Sequence, residues 1–294
     1  MNVRPWLAGL LASWMSAAGA TTCDSDGVWV QVIGARNPAS SGYIVWINGK
    51  ARALIDAGSG SAINFNNSKA RVADLDVVLF THLHVNHTAD LVTLVQSSLA
   101  EGRARPLPIY GPARRKLMPS TVKFVLTLFD KKRGLYPYLG ELVSPFGKTT
   151  YKLQPHNIRI KGDNTVDVYA NERLRVSAVT VTRQPLPSLA WRLEVGGKAL
   201  VFSSDLDSEV NGLRTLARDA DLLVVHNPSR INTRDLWQLR YLSPDVIGRT
   251  ANTANVKKLV LAHRNPQNQP AIDAIKANYR GVSIIADELD CVRP

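Results

Sequence analysis

The sequence predicts an α+β fold in which two β-sheets pack face to face, with helices on their outer sides. Two hairpin patterns are the first observation. Tyr43 to Ile47, the turn Asn48-Gly49 and Ala51 to Ile55 form one; Trp191 to Val195, the turn Gly196-Gly197 and Lys198 to Phe202 form the other. The second observation is that the two halves echo each other. Each hairpin ends at an aspartate, Asp56 or Asp205, and an Asp-x-Asp step, Asp74 to Asp76 or Asp219 to Asp221, precedes an apolar strand ending at His82 or His226. The third is that helical patterns alternate with these strands, which leaves each sheet one face for helices and one for its partner.

Taken in order, Val28 to Ile33 reads as a strand and Val77 to Phe80 as a buried strand running into the histidines. Thr88 to Leu99 reads as a helix with Leu91, Val92, Val95 and Leu99 on one face, and Pro119 to Phe129 as a second helix. Residues 131–164 are rich in Gly, Pro and aromatics; they read as irregular chain that covers a site, with His156 at a turn and Tyr136 and Tyr138 as candidate pocket walls beside Trp237. No linker or low-complexity run divides residues 21–294, so one domain is expected.

Residues 1–20 differ in character. Arg4, the apolar stretch Trp6 to Ala17 and the small residues Ala18-Gly19-Ala20 match a secretory signal peptide cut after Ala20, the alternative being an N-terminal helix. Export places the mature chain in the periplasm or outside the cell. Its two cysteines, Cys23 and Cys291, then either form a disulfide joining the chain ends or remain free thiols. The net charge of +12 includes the clusters Arg114-Arg115-Lys116 and Lys131-Lys132-Arg133. These read as a solvated basic surface or as attraction to anionic substrates or membranes. With neither a binding motif nor stacking aromatics beside the charge, nucleic acid is not expected as a partner; an anionic small molecule is.

Chemistry concentrates in Thr81-His82-Leu83-His84-Val85-Asn86-His87, which holds three of the six histidines of the chain. His263 follows the strand Lys258 to Ala262, and Asp205 follows Lys198 to Phe202. Imidazoles and a carboxylate at strand ends suit Zn²⁺ or another borderline divalent ion.

The run resembles the His-x-His-x-Asp-His signature of the metallo-β-lactamase superfamily. Leu54-Ile55-Asp56-Ala57-Gly58, Phe202-Ser203-Ser204-Asp205 and Leu259 to His263 follow the family order, and Leu107 to Pro112 is similar to the branch of tRNA 3′-processing endonucleases, phosphodiesterases and arylsulfatases. The resemblance implies a four-layer αβ/βα sandwich and metal-assisted hydrolysis of an ester-like bond: a phosphodiester, a sulfate ester or a lactone. It also implies two metal sites, with His82 and His84 on the first, His87 and His263 on the second, Asp205 bridging and Asp56 orienting the histidine loop. Asn86 stands where the signature has aspartate, and Arg183 where a third histidine of the first site is expected. A guanidinium has no lone pair to give, and an amide carries no charge. Two outcomes follow. One ion remains on His87, His263 and Asp205, with His82 or His84 moving protons and Asp205 accepting one from water. Alternatively, Arg183 pairs with Asp205 in a catalytically silent relative that binds an anionic ligand or partner. His226 is read as a substitute ligand, a proton donor or a packed side chain.

Overall fold

The computed structural model describes Cys23, 26–35, 40–115, 117–183, 186–203, Asp205, 211–226, 243–262 and 269–294. The signal-peptide segment, Trp237 and His263 lie outside the described residues, as do the side chains of Arg183 and His226.

The first half runs β1 (Val28–Gly34), β2 (Gly42–Ile47), β3 (Lys50–Ile55), α1 (Ser61–Asn67), β4 (Val77–Leu79), α2 (Val85–Thr88), α3 (Leu91–Ala100), β5 (Leu107–Pro112), α4 (Thr121–Phe129) and β6 (Leu153–Ile158). The second runs β7 (Val166–Ala170), β8 (Leu174–Arg183), β9 (Leu186–Val195), β10 (Lys198–Phe202), α5 (Asn211–Leu216), β11 (Leu222–His226), α6 (Pro244–Thr253), β12 (Lys258–Ala262), α7 (Gln269–Ala277), β13 (Val282–Ala286) and β14 (Cys291–Val292). The strands make two sheets, ordered β14-β1-β2-β3-β4-β5-β6 and β13-β12-β11-β10-β9-β8-β7. Each sheet is antiparallel up to the hairpin strand that ends in aspartate, and parallel beyond it. Both hairpins turn on two residues of positive φ, Asn48 and Gly49 at 49° and 71°, Gly196 and Gly197 at 54° and 71°. That conformation matches the twist of paired strands, and it is why Asn-Gly and Gly-Gly mark these turns.

The period of two along each strand sorts side chains into layers. Val32, Val45, Ile55 and Leu79 from the first sheet meet Trp191, Phe202, Val224 and Val260 from the second in a central core. Leu54, Val78 and Phe80 face outward against Phe65, Leu94, Val95, Val125 and Phe129 from α1, α3 and α4. Val201, Leu223 and Leu261 do the same against Leu213, Ile247 and Ile275 from α5, α6 and α7. This is the four-layer αβ/βα arrangement, and both sheets present the carboxyl ends of their parallel strands, where ligands of such sheets bind.

The echo between halves is structural. Asp76 N donates to Arg52 O at 2.7 Å, and Asp221 N to Ala199 O at 2.9 Å, each fastening a parallel strand to the hairpin before it. Asp76 is buried and paired with Arg105 and Arg173, the latter from the second half. Burial is the largest influence on its carboxyl and acts upward, but hydrogen bonds and charge from the two arginines outweigh it and hold the pKa below its ordinary value. A carboxyl lowered in the folded state stabilises above its unfolded value, and that contribution is lost as pH falls through the folded value. Asp76→Asn is expected to cost about 2 kcal/mol at neutral pH. The urea midpoints of the two proteins should converge as pH is taken below about 4.

Two sequence expectations need correction. The helix expected over Thr88 to Leu99 is broken, because Asp90 serves the neighbouring loop: its N–H donates to Ala57 O at 2.9 Å and its carboxylate accepts Ala62 N at 2.8 Å. The region 131–164 is not wholly irregular. It supplies β6, whose Pro155 is tolerated because β6 is the edge of its sheet. His156 lies in β6 rather than at a turn, stacked on Tyr110 with centroids 4.6 Å apart, and burial lowers its pKa. Tyr138 is exposed at 67 %. The two cysteines are joined, Cys23 to Cys291, with Cα atoms 5.7 Å apart. Among the described residues no helix is long and apolar enough to cross a membrane.

Candidate metal centre

The histidine loop leaves β4 at the carboxyl edge of the first sheet. Asp56, at the matching end of β3, organises it. Its backbone sits at φ 57°, unusual for a non-glycine residue, and is held there by Asp56 N donating to Leu79 O at 2.9 Å. The buried carboxylate accepts Thr81 N at 2.8 Å, Thr81 Oγ1 at 2.9 Å, Ser41 Oγ at 2.9 Å and His87 Nδ1 at 2.7 Å. A carboxylate only accepts, so the proton of His87 sits on Nδ1 and the lone pair on Nε2. Thr81 spends its hydroxyl proton on Asp56 and therefore accepts from His82 Nδ1, 3.1 Å away. His82 Nε2 is thus also left with a lone pair. This outer network does what second-layer hydrogen bonds do in metal sites: it fixes tautomer and ring orientation.

Both Nε2 atoms point at Asp205, which follows β10 across the gap between sheets. His82 Nε2 and His87 Nε2 each lie 3.8 Å from Asp205 Oδ2. The ligand atoms of His82, His87 and Asp205 all fall within 4.8 Å of one another, and all three residues are buried. Metal bonds of 2.0–2.2 Å place neighbouring ligand atoms about 3.0–4.2 Å apart, and both 3.8 Å separations from Asp205 Oδ2 fall in that range. His84 is half-buried beside the group, its Nδ1 3.2 Å from His82 Nε2. That spacing also suits two ligands on one ion.

His82 and His87 both converge on Asp205, the carboxylate expected to bridge their two sites. Asn86 is half-buried in α2, and its backbone carbonyl accepts Ser41 N at 3.0 Å. Arg183 closes β8 opposite Leu186. Three residues beyond Leu186, Leu189 N donates to Thr81 O at 2.9 Å, so this hairpin end stands beside the histidine loop. The backbone of His226 closes β11 against Ala262, the residue before His263.

Sequence reading missed Ser41 and Tyr43. Tyr43 is 2 % exposed and packs on Phe202 at 5.6 Å. Burial, followed by the charges of Asp56 and Asp205, pushes its phenol well above the ordinary range, so it is a neutral group at the site floor and no base. The signal for it was slight: a tyrosine at an inward position near the start of β2, which begins beside the end of β3. Gly58 is the tightest point. A Cβ there would overlap Asn86 O and reach within 2.8 Å of Ser41 N. Gly58→Ala is expected to cost about 2–3 kcal/mol by pushing α2 away from the Asp56 loop. Thermal unfolding checks the cost, and a parallel fall in zinc affinity checks its origin.

The profile of the Beta-lactamase superfamily domain matches residues 51–264. The ribonuclease Z of Clostridium kluyveri is 34 % identical over 109 residues, which span 36 % of this chain and 34 % of that protein. That of Methanosarcina acetivorans is 25 % identical over 285 residues, covering 86 % of this chain and 91 % of that protein. Among solved structures, the short form of human tRNase Z superposes with a TM-score of 0.68 at 16 % identity, covering 90 % of this chain and 98 % of its own. These relatives are ribonucleases, so the expectation that nucleic acid has no part here is overturned. It rested on a missing binding motif and missing stacking aromatics, yet exposed Tyr136 and Tyr138 stand beside Lys131, Lys132 and Arg133. Given a profile spanning most of the chain, the protein belongs to the β-lactamase superfamily domain family, with the metallo-β-lactamase fold.

Proposed function

We propose that this chain is an exported, metal-dependent hydrolase of phosphodiester bonds, with one zinc-type ion. The observation that carries the reading is the buried convergence of His82 Nε2, His87 Nε2 and Asp205 Oδ2 at the carboxyl edge of both sheets. Its relatives, named as ribonucleases, favour a phosphodiester over a sulfate ester or a lactone. The disulfide Cys23–Cys291 favours an oxidising compartment, in line with the signal-like residues 1–20.

His82, His87 and Asp205 would hold the ion, with His84 at its side and His263 as a further ligand. When bound, such an ion polarises a phosphoryl oxygen and brings the pKa of a coordinated water toward neutrality. Asp56 keeps the two imidazoles in the lone-pair-inward tautomer throughout. Asp205 accepts the proton of the attacking water on its carboxylate. His84 is less buried than His82 and is placed to return a proton to the leaving oxygen.

Elemental analysis and turnover of bis(4-nitrophenyl) phosphate and RNA oligonucleotides test the reading. Metal-dependent cleavage, lost on chelation and restored by zinc, is expected. A fully loaded protein that cleaves no diester would overturn it. Asn86 and Arg183 favour one competing reading, a silent relative that binds an anionic ligand. The double substitution Asn86→Asp, Arg183→His separates the two: a silent protein gains metal and turnover, whereas a one-metal enzyme loses or alters its activity.

A further inference from the structure

Among the described residues, the excursion between α4 and β6 stands apart from the histidine loop. It lies at the far end of the molecule. The start of α4 is fastened to the carboxyl end of β5 and to β6 by Thr121 Oγ1 donating to Pro112 O at 3.1 Å and Val122 N to Asn157 Oδ1 at 2.9 Å. The excursion returns at the amino end of β5, where Leu107 N donates to Lys152 O at 2.8 Å. About 17 Å of strand therefore separates it from the histidine edge.

Four of the nine large hydrophobic residues exposed on the described surface lie here: Leu135, Tyr136, Tyr138 and Phe146, at 69 %, 36 %, 67 % and 93 %. Exposure on this scale normally marks a contact surface. It is not slack chain. Leu135 N and Tyr136 N donate to Thr127 O and Leu128 O of α4 at 2.9 and 2.7 Å, and Leu139 and Leu142 root the excursion in the outer core. Around these residues stand exposed Lys131, Lys132, Arg133 and Lys148. The two local acids are turned inward to bind the excursion itself: Asp130 accepts Lys132 N and Arg133 N at 2.9 and 2.8 Å, and Glu141 pairs with Lys131 and accepts Lys148 N at 3.0 Å.

We propose that this excursion docks the protein on an anionic lipid bilayer, with Phe146 and Leu135 entering the interface and Lys132, Arg133 and Lys148 meeting the headgroups. Basic residues ringing exposed aromatic and aliphatic side chains are the pattern of interfacial binding, in which buried apolar area and headgroup attraction add. A single-stranded nucleic acid would stack on the aromatic faces of Tyr136, Tyr138 and Phe146 and leave Leu135 unused, whereas a bilayer buries all four. The placement leaves the histidine edge facing away from the membrane.

Flotation of the purified chain with vesicles tests this. Binding to phosphatidylcholine vesicles containing phosphatidylglycerol, and none to phosphatidylcholine alone, is expected. Leu135→Ser with Phe146→Ser should weaken it by at least about tenfold, as should Lys132→Gln with Arg133→Gln. All four side chains are exposed, so unfolding temperature and diester turnover should be unchanged. Equal binding to both vesicle types, or none to either, overturns the proposal. So does RNA binding that needs Lys132 and Arg133 but ignores Phe146, or self-association abolished by Phe146→Ser.

Discussion

Replacing Asp205 by alanine is expected to lower zinc affinity by more than about 100-fold and to take diester turnover below detection. Even outer hydrogen-bonding partners of a metal site are worth 10- to 100-fold in affinity, and Asp205 offers an atom to the site itself. Its Oδ2 is the one oxygen toward which both His82 Nε2 and His87 Nε2 converge, each at 3.8 Å. Asp56→Asn should give a smaller loss, about 10- to 100-fold, because the ligands stay while the acceptor of His87 Nδ1 is compromised. The response of stability to zinc separates a binding role from a packing role. The stabilisation that excess zinc gives the parent in urea unfolding should be absent from the variant. An Asp205→Ala protein that binds zinc as tightly as the parent would remove Asp205 from the site.

Loss of the Cys23–Cys291 bridge is expected to carry the largest cost in stability. The bridge spans 268 positions, nearly the whole chain. Closing so long a loop in the unfolded state is worth about 4–5 kcal/mol in the chain-entropy model. It also secures a weak element. β14 is two residues long and pairs with β1 through Val30 with Val292 and Gln31 with Cys291, beside the backbone bonds of Leu289 and Asp290 to Val32. Without the bridge β14 is free to peel away and bare the edge of β1, a template for pairing with other chains. Urea unfolding of Cys23→Ser, Cys291→Ser beside the parent, with and without reductant, measures both effects. The parent in reductant should match the double variant, and four coincident curves would show that the bridge contributes nothing.

Local chemistry made much of this molecule readable. Asn48-Gly49 and Gly196-Gly197 announce their turns because few residues adopt positive φ, and the two turns then set where Asp56 and Asp205 end their strands. The histidine triplet was visible because imidazoles rarely crowd together for packing. What stayed hidden depends on the third dimension. Spacing cannot say which nitrogen of His82 or His87 faces Asp205, since that is decided by Thr81 and by Asp56 more than twenty residues away. Ser41 and Tyr43 carry no motif and matter only because β2 lies beside β3. β6 escaped because an edge strand can hold a proline and need not alternate.

His82 and His87 come from the first half of the chain, Asp205 from the second, and Leu189 N to Thr81 O is a direct backbone stitch between them. The cluster is therefore a seam, and neither lobe expressed alone carries all three of these side chains. An ion seated there would act as a rivet between lobes, tightening their union in proportion to its own affinity. Damage far from the chemistry that lets the lobes slide past each other would then surface first as lost metal, ahead of any visible unfolding.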